Sequence, residues 1–431
     1  MPVFLMHDQP DFAERFDTLL RAKREVSEDV DDAAAEIISE VRERGVAAVL
    51  DLTREFDSWD ATEATLAFTR SEIDDAIARV NLAEREALEI AARRIRAYHE
   101  RQLPENQLWT DEDGVTLGWR WGPIDAAGLY VPGGLASYPS SVLMNAIPAS
   151  VAGVAEVVMT APTPNGEYNP LVLLAARLSG IDTVYRVGGA QAIAALAYGA
   201  GPIRPVDKIT GPGNAWVAAA KRRVFGTVGI DMIAGPSEIL VIADAAQNPD
   251  WIATDLMSQA EHDASAQSIL ITDDADFAEE TNRSVDRLLQ RLDRREIAGA
   301  SWRDHGAIIV AKNLEEAADL SNRVAPEHLE LCVEDPVGLS ERIRHAGAIF
   351  LGGHTPEAIG DYVGGPNHVL PTARSARFSS GLSVLDFMKR TTLAQVAPDG
   401  LAAIGPAAET LARSEGLEAH ALSVAARLDR S

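Results

Sequence analysis

The chain has 431 residues, 46% of them apolar and 24% charged, a balance that is typical of globular proteins and excludes fibrous and wholly disordered classes. At roughly 100–200 residues per domain, this length predicts more than one domain. Acidic residues outnumber basic ones by 65 to 39, and the resulting charge of −26 repels phosphates, so we expect no nucleic-acid partner and no membrane partner.

Helical periodicity dominates residues 10–110. Between 34 and 41, alanine, isoleucine and valine recur at the i, i+3, i+4, i+7 spacing of a helix with one buried face. A second such pattern runs from about 72 to 101. The acidic run at 28–32 is interpreted as a solvated helix face.

From about Gly122, short β-rich runs alternate with helical patterns, which indicates parallel βαβ units. The predicted strands are 126–131, 154–160, 183–187, 208–210, 268–272, 307–310, 329–333 and 348–351. The predicted helices between and after them include 190–198, 215–224, 277–292 and 314–324, and helix returns at 401–411 and 419–428.

We therefore predict an α/β protein of two similar, incomplete Rossmann-like parallel-sheet domains with small helical N- and C-terminal segments. The predicted division is a helical segment 1–25, a discontinuous first domain 26–129 and 240–382, a second domain 130–239, and a C-terminal helical segment 383–431.

Two further features concern the compartment. No apolar run approaches the roughly 18 residues of a membrane span, and Met1–Asp8 lacks the pattern of a signal peptide, so a cytoplasmic protein is expected. The single cysteine, Cys332, excludes an intrachain disulfide framework and a cysteine-rich metal site, and is interpreted as a small buried hydrophobe.

Glycine-rich turns follow three of the predicted strands: Pro132-Gly133-Gly134, Gly188-Gly189 and Gly211-Pro212-Gly213-Asn214. Each one alone is most simply a tight turn. Together they mark the carboxyl edge of a parallel sheet, where ligands bind and backbone amides can approach a phosphate. None has the third glycine, and no acidic residue stands on a following strand, so they do not form a standard dinucleotide fingerprint.

Gln259 and His262 stand three residues apart in a helical pattern, which places both side chains on one face. An amide oxygen and an imidazole are possible zinc ligands, although a solvent-facing pair would carry the same spacing. The adjacent Glu327 and His328 precede a strand, where they form either a general-base pair or an exposed polar junction.

Other candidate ligands are spread over the C-terminal part. Asp361 and His368 lie in a polar Gly/Pro-rich stretch predicted to be a loop, and His420 opens the last helix. His7, His99, His305 and His345 have charged neighbours and are interpreted as surface residues. The residues thus favour a zinc enzyme with a glycine-lined cofactor or phosphate pocket, and leave its reaction open.

Eight motifs, in order along roughly residues 25–425, resemble the histidinol dehydrogenase family. They are Tyr130-Val131-Pro132-Gly133-Gly134, Val187-Gly188-Gly189-Ala190-Gln191-Ala192, Gly211-Pro212-Gly213-Asn214, Ala234-Gly235-Pro236-Ser237-Glu238, Ser258-Gln259-Ala260-Glu261-His262, Ala325-Pro326-Glu327-His328-Leu329-Glu330, Gly365-Pro366-Asn367-His368-Val369-Leu370-Pro371-Thr372 and Glu415-Gly416-Leu417-Glu418-Ala419-His420.

The resemblance implies a zinc-dependent, NAD-linked oxidation of L-histidinol to L-histidine through L-histidinaldehyde, the last steps of histidine biosynthesis, with two NAD used in succession. It implies one Zn²⁺ per subunit held by Gln259, His262, Asp361 and His420. Glu327 would activate water and His328 would be the general base.

The resemblance also implies binding residues and an assembly. Substrate would be held by Ser237, His368 and Glu415 together with His328 and the four metal ligands, and NAD by Tyr130, Gln191 and Asn214. The protein would be a homodimer in which the segment 383–431 is exchanged, so that Glu415 and His420 complete the site of the other subunit.

One departure from the family pattern is Leu135, which follows Pro132-Gly133-Gly134 where a basic residue is expected. Weaker NAD binding would follow if the residue at this position holds the cofactor.

Three other functions remain open. A related dehydrogenase acting on a sulfonated diol would be expected to carry extra Arg or Lys near His368 and Glu415. A zinc hydrolase would turn over an amide or ester without NAD, and a metal-binding module would have no turnover.

Overall fold

The computed structural model describes residues 2–21, 28–133, 138–233 and 235–428. Within these ranges the strands are β1 Val3–Met6, β2 Gln107–Thr110, β3 Val115–Pro123, β4 Ala126–Tyr130, β5 Glu156–Thr160, β6 Thr183–Tyr185, β7 Lys208–Thr210, β8 Gly229–Ile230, β9 Glu238–Ala243, β10 Gln267–Thr272, β11 Ala307–Val310, β12 His328–Cys332, β13 Ala348–Leu351 and β14 Met388–Val396.

The helices in the same ranges are α1 Phe12–Arg21, α2 Glu28–Arg44, α3 Val46–Asp57, α4 Arg70–Ala78, α5 Leu82–His99, α6 Pro139–Ala152, α7 Pro170–Ser179, α8 Gly189–Tyr198, α9 Ala215–Val224, α10 Pro249–Ala260, α11 Ala275–Leu289, α12 Arg295–His305, α13 Leu314–Val324, α14 Pro336–Ser340, α15 Glu357–Tyr362, α16 Pro398–Ser414 and α17 Glu418–Ala425. None of these helices is long and apolar enough to cross a bilayer.

Two sheets are parallel throughout. One has the order β6-β5-β4-β7-β8, and the other has the order β1-β11-β10-β9-β12-β13. In both, the first strand of the βαβ run lies between the second and the fourth, which is the Rossmann order without its sixth strand. The predicted pair of similar, incomplete Rossmann-like units is therefore confirmed.

The N-terminal segment is not purely helical, because β1 adds a parallel strand to the edge of the six-stranded sheet, with Val3 opposite Ala307. Leu5 and Phe16 are fully buried in the core of that sheet. A four-residue strand leaves too short a pattern to be recognised from sequence, and its partner lies some 300 residues away.

The helices α2 to α5 lie against the five-stranded sheet, which differs from the predicted grouping of 26–129 with 240–382. Val49 and Leu52 share a core with Leu196, and Ile95 shares a core with Leu143. An amphipathic pattern shows that a helix buries one face but not which sheet receives it.

A third, antiparallel sheet has the order β14-β3-β2, with Met388 opposite Pro123 and Val396 opposite Val115. The segment 383–431 was expected to be helical, and β14 is the exception within it. Most of β14 is exposed, so its sequence lacks the buried alternation by which a strand is recognised.

Cys332, at the end of β12, is 3% exposed and lies in an apolar core, as predicted.

Candidate active site

A cavity of about 340 Å³ lies where the two parallel sheets face each other. His328 opens β12, so this wall is the amino edge of the six-stranded sheet. Pro132 and Gly211 follow β4 and β7, so the opposite wall is the carboxyl edge of the five-stranded sheet. We call this space the first cavity. Seven of the site residues predicted from sequence line it: Ser237, Gln259, His262, Glu327, His328, Asp361 and His368.

The His328 imidazole is held in one orientation at the floor of the first cavity. Its Nδ1 lies 2.9 Å from the carbonyl oxygen of Glu238, which can only accept, so Nδ1 carries the proton and Nε2 has a free lone pair. Nε2 has no hydrogen-bond partner among the described residues. Burial lowers the pKa of His328, although the nearby Asp361 carboxylate acts in the opposite direction. The neutral imidazole is therefore arranged as a proton acceptor.

Glu327 lies beside this imidazole, with its Oε2 3.6 Å from Nδ1 of His328. The same oxygen accepts a hydrogen bond of 2.8 Å from the backbone N–H of Glu238. The turn that leads into Glu327 contains Ala325 in the left-handed region, at φ 51°. The predicted Glu–His pair is thus buried and fixed from β9, and it is not an exposed junction.

Gln259 and His262 come from the end of α10. Asn248 caps the start of this helix, where its side chain accepts from the N–H of Asp250, and the helix ends at Ala260, shortly before His262. Gln259 is 1% exposed, and its Oε1 is buried without a hydrogen-bond partner in the described chain. Both side chains line the first cavity, so they do not form a solvent-facing pair.

Asp361 lies in the short helix α15, not in the predicted loop. Its carboxylate is 4.0 Å from His328 Nε2 and 3.6 Å from His368 Nδ1. Burial raises its pKa, but the interaction with His368 and the neighbouring His328 and His262 outweigh this and lower it to about 2. Asp361 is therefore an anion in a cluster of imidazoles.

Glu357, four residues before Asp361, was missed by sequence reasoning. Its Oε1 is 3.7 Å from His328 Nε2 and is buried without a hydrogen-bond partner in the described ranges. Burial and the Asp361 charge raise its pKa well above the usual range. The i, i+4 spacing that places both carboxyls on one helix face was visible in the sequence. Gly360 between them permits the packing, because a Cβ there would lie 2.5 Å from Phe350.

His368 is held by groups from two other parts of the chain. Its Nδ1 is 3.1 Å from the backbone oxygen of Asp361, and its Nε2 is 3.4 Å from Ser141 Oγ. The neighbouring Asn367 is 3.3 Å from Nε2 of His99. His99 is fully buried, so the prediction that it is a surface residue is wrong. Its charged neighbours in sequence, Glu100 and Arg101, follow α5 and are exposed.

The turn after β7 is fixed by a buried ion pair that sequence reasoning also missed. Lys221 donates to the Gly211 carbonyl at 3.0 Å, and Asp231 accepts from the Gly211 N–H at 2.8 Å. The two side chains are 3% and 1% exposed and form an ion pair. Gly211 has φ +123°, and a Cβ there would overlap the Tyr130 carbonyl at 2.0 Å. No local motif shows that Lys221 and Asp231 meet across this turn.

A second cavity of about 280 Å³ is lined by Tyr130, Gln191 and Asn214, the three residues predicted to bind NAD. Burial raises the pKa of Tyr130 to about 12, so its hydroxyl stays protonated, and it accepts from the Gly189 N–H at 3.2 Å. Pro132 and Gly213 line the first cavity, whereas their neighbours Gly133 and Asn214 line the second. The two cavities therefore meet at these two turns.

Two predicted substrate and metal residues are not brought to either cavity of this chain. Glu415 follows α16 and His420 lies in α17, and both are exposed. Parts of the glycine-rich motifs fall outside the described residues, namely Gly134, Leu135 and Ala234, so the expectation about Leu135 lies outside them too.

The described donors suit a metal ion. His328, Glu357 and Asp361 offer ligand atoms that lie within 4.8 Å of one another. Gln259 and His262 supply an amide oxygen and a further imidazole to the same cavity, and the buried Gln259 oxygen lacks a partner that a metal would provide. Nitrogen and oxygen donors of this kind fit a borderline cation such as Zn²⁺.

The two parallel sheets have Rossmann order and share one cavity. A histidine–carboxylate cluster lies on one wall of this cavity and glycine-rich turns lie on the other. This arrangement is typical of an α/β oxidoreductase. The model of the histidinol dehydrogenase family matches residues 20–428. The chain therefore belongs to the histidinol dehydrogenase family.

Individual relatives agree with this assignment. Histidinol dehydrogenases of Cereibacter sphaeroides and Ruegeria pomeroyi are 70% and 68% identical to the chain, in each case over 100% of it and 99% of the relative. The crystal structure of histidinol dehydrogenase from Elizabethkingia anophelis superposes with a TM-score of 0.95 at 36% identity, covering 99% of this chain and 98% of that one. The prediction of a histidinol dehydrogenase family member is confirmed.

Proposed function

We propose that the protein catalyses the zinc-dependent, NAD-linked oxidation of L-histidinol to L-histidine through L-histidinaldehyde, within histidine biosynthesis. The observation that carries the proposal is the unpartnered Nε2 of His328, which faces a cavity shared with Gln259, His262 and Asp361. Such a base beside a candidate metal site is what the removal of an alcohol proton requires. A cytoplasmic location remains a prediction.

Gln259, His262 and Asp361 would hold Zn²⁺, with His420 as a fourth ligand. When bound, the ion would orient the amino and imidazole groups of the substrate and so align the reacting C–H bond. Ser237 and His368 lie on the walls of the same cavity, where their hydroxyl and imidazole groups can bond to the polar ends of histidinol.

His328 acts as the base of the first oxidation. Its Nε2 accepts the hydroxyl proton of histidinol while the carbon gives a hydride to NAD, which yields the aldehyde and NADH. The bond from Nδ1 to Glu238 keeps the lone pair on Nε2 directed into the cavity, and the lowered pKa keeps the ring neutral before the step.

Glu327 acts in the second oxidation. Water must add to the aldehyde to form a hydrate, which then gives a second hydride to a second NAD and releases two protons, so that the carboxylate of histidine is left. The Glu327 carboxylate takes the proton of the attacking water. Its bond from the Glu238 N–H at 2.8 Å fixes one oxygen and so orients the carboxylate.

The active form is proposed to be a homodimer with shared sites. Glu415 and His420 are exposed and lie outside the first cavity of their own chain, so they are accessible to a second copy. The segment 383–431, exchanged between subunits, would carry both residues into the other subunit's site. Glu415 would then contact the substrate.

The direct test measures NADH absorbance with the purified protein, L-histidinol and NAD. We expect two NADH per histidinol consumed, loss of turnover after a chelator, and recovery with Zn²⁺. No NADH with histidinol, alongside turnover of a sulfonated diol, would refute the proposed substrate. Hydrolysis of an ester without NAD would refute the proposed reaction class.

A second test separates the two groups of donors in the first cavity. We expect Gln259→Ala and His262→Ala to lose bound zinc, measured by mass spectrometry of dialysed protein, and His328→Ala to retain it. His354→Ala, an exposed histidine outside the cavity, is the matched control. If His328→Ala loses zinc as completely as His262→Ala, His328 is a ligand and the assigned role as base is wrong.

A further inference from the structure

The second cavity contains a buried carboxyl group to which the proposed reaction assigns no role. Asp57 is the last residue of α3, is 9% exposed and lines this cavity. Its Oδ2 has no hydrogen-bond partner within the described chain. A carboxylate at the C-terminal end of a helix also faces the negative pole of the helix dipole. Burial raises its pKa to about 6. The native structure therefore keeps a destabilising group at this position.

The other walls of the second cavity indicate what the carboxyl group would meet. Phe56 and Trp216 line it and remain 55% and 40% exposed, so flat apolar surface is available to a base. Gln191 contributes a second buried acceptor, since its Oε1 is also unpartnered among the residues described. No Lys, Arg or His occurs among the described residues that line the second cavity. Such a cavity favours a ligand with a flat ring and hydroxyl donors, and disfavours a phosphate.

The position of Asp57 is unusual for a nucleotide-binding sheet. In the Rossmann arrangement, an acidic residue near the end of the second strand accepts from the ribose 2′-hydroxyl. The second strand here is β5, and it is followed by Ala161-Pro162-Thr163-Pro164, which contains no acid. The carboxyl group comes instead from α3, outside the sheet, whose Val49 and Leu52 pack in one core with α8.

We propose that the second cavity takes the adenosine half of the dinucleotide and that Asp57 accepts a hydrogen bond from the ribose 2′-hydroxyl, so that it selects NAD over NADP. The inference rests on the proposed function, because it assumes that the reacting half of NAD occupies the first cavity. The dinucleotide would pass the turns at Pro132–Gly133 and Gly213–Asn214, where the two cavities meet. A 2′-phosphate would bring negative charge against the Asp57 carboxylate, and no described cation lines the cavity to offset it.

The test measures binding without turnover, by calorimetry at pH 8 with ADP-ribose and with 2′-phospho-ADP-ribose. The wild-type protein should bind ADP-ribose at least about tenfold more tightly than the phosphorylated ligand, since a hydrogen bond to a charged group is worth roughly that factor or more. Asp57→Asn should weaken ADP-ribose binding by about tenfold and reduce the discrimination. Glu55→Gln removes an exposed carboxylate from the same helix and should change neither affinity.

Several results would overturn the inference. Unchanged ADP-ribose affinity in Asp57→Asn, or discrimination that persists in it, would contradict the role of Asp57. If the wild-type protein forms NADH with histidinol and Asp57→Asn shows either result, only this inference is refuted. Wild-type protein that forms no NADH but discriminates the two ligands through Asp57 refutes the proposed reaction and leaves the nucleotide site supported.

Discussion

Replacing Asp57 by Asn should stabilise the protein in the absence of nucleotide. Burial raises the pKa of this carboxyl from its ordinary 3.8 to about 6. The native state therefore binds the proton more tightly than the unfolded state. The loss of stability grows as the pH rises from about 4 and levels off above about pH 6, where the group is charged in both states. A shift of about two units corresponds to about 3 kcal/mol, which is an upper value for Asp57→Asn because the buried amide also lacks a partner.

The pH dependence distinguishes this cause from a simple change in packing. At pH 8 the melting temperature of the variant should be roughly 5–10 °C higher than that of the wild type, if α3 and the five-stranded sheet against which it lies unfold as one domain. At pH 5 the gain should fall to about half, and near pH 3 it should be almost absent because the wild-type group is then largely protonated in both states.

The assay is a thermal melt of wild type, Asp57→Asn and the control Glu55→Gln at pH 8 and pH 5, without nucleotide. A gain of equal size at both pH values would show that the carboxyl charge is not its cause. No gain at pH 8 would show that Asp57 has a stabilising partner in solution, and the reasoning from its burial would be wrong.

Three further predictions concern the first cavity and the assembly. Lys221→Met leaves the buried Asp231 carboxylate unpaired and should lower the free energy of unfolding in urea by about 3–5 kcal/mol. The control Arg222→Met removes an exposed side chain and should change this free energy by less than about 0.5 kcal/mol. Equal effects would contradict the role of the ion pair. Glu327→Gln should slow the oxidation of the aldehyde more than that of the alcohol in single-turnover NADH measurements, and equal losses would refute its role in activating water. Mixed chains of His420→Ala and His328→Ala should regain activity, because one site in each heterodimer would be intact; verified heterodimers without activity would refute shared sites.

Local signals in the sequence determined most of the secondary structure and many of the site residues. The predicted bounds of β7, α9, β11, α13 and β13 coincide with those of the structure, because turns or loops separate elements of clear periodicity. Histidines, carboxyls and glycine-rich turns are specific enough as motifs to indicate the family. Seven of the predicted residues meet in one cavity, and three others meet in the next.

The tertiary structure decided which elements share a core and which lone groups meet. β1 and β14 pair with strands hundreds of residues away, and α2 to α5 pack on the sheet that sequence reasoning did not choose. The burial of His99 and Asp57 and the Lys221–Asp231 pair likewise depend on such contacts. Periodicity encodes that a face is buried, but the partner of that face is set by packing between distant segments, which no local pattern of residues contains.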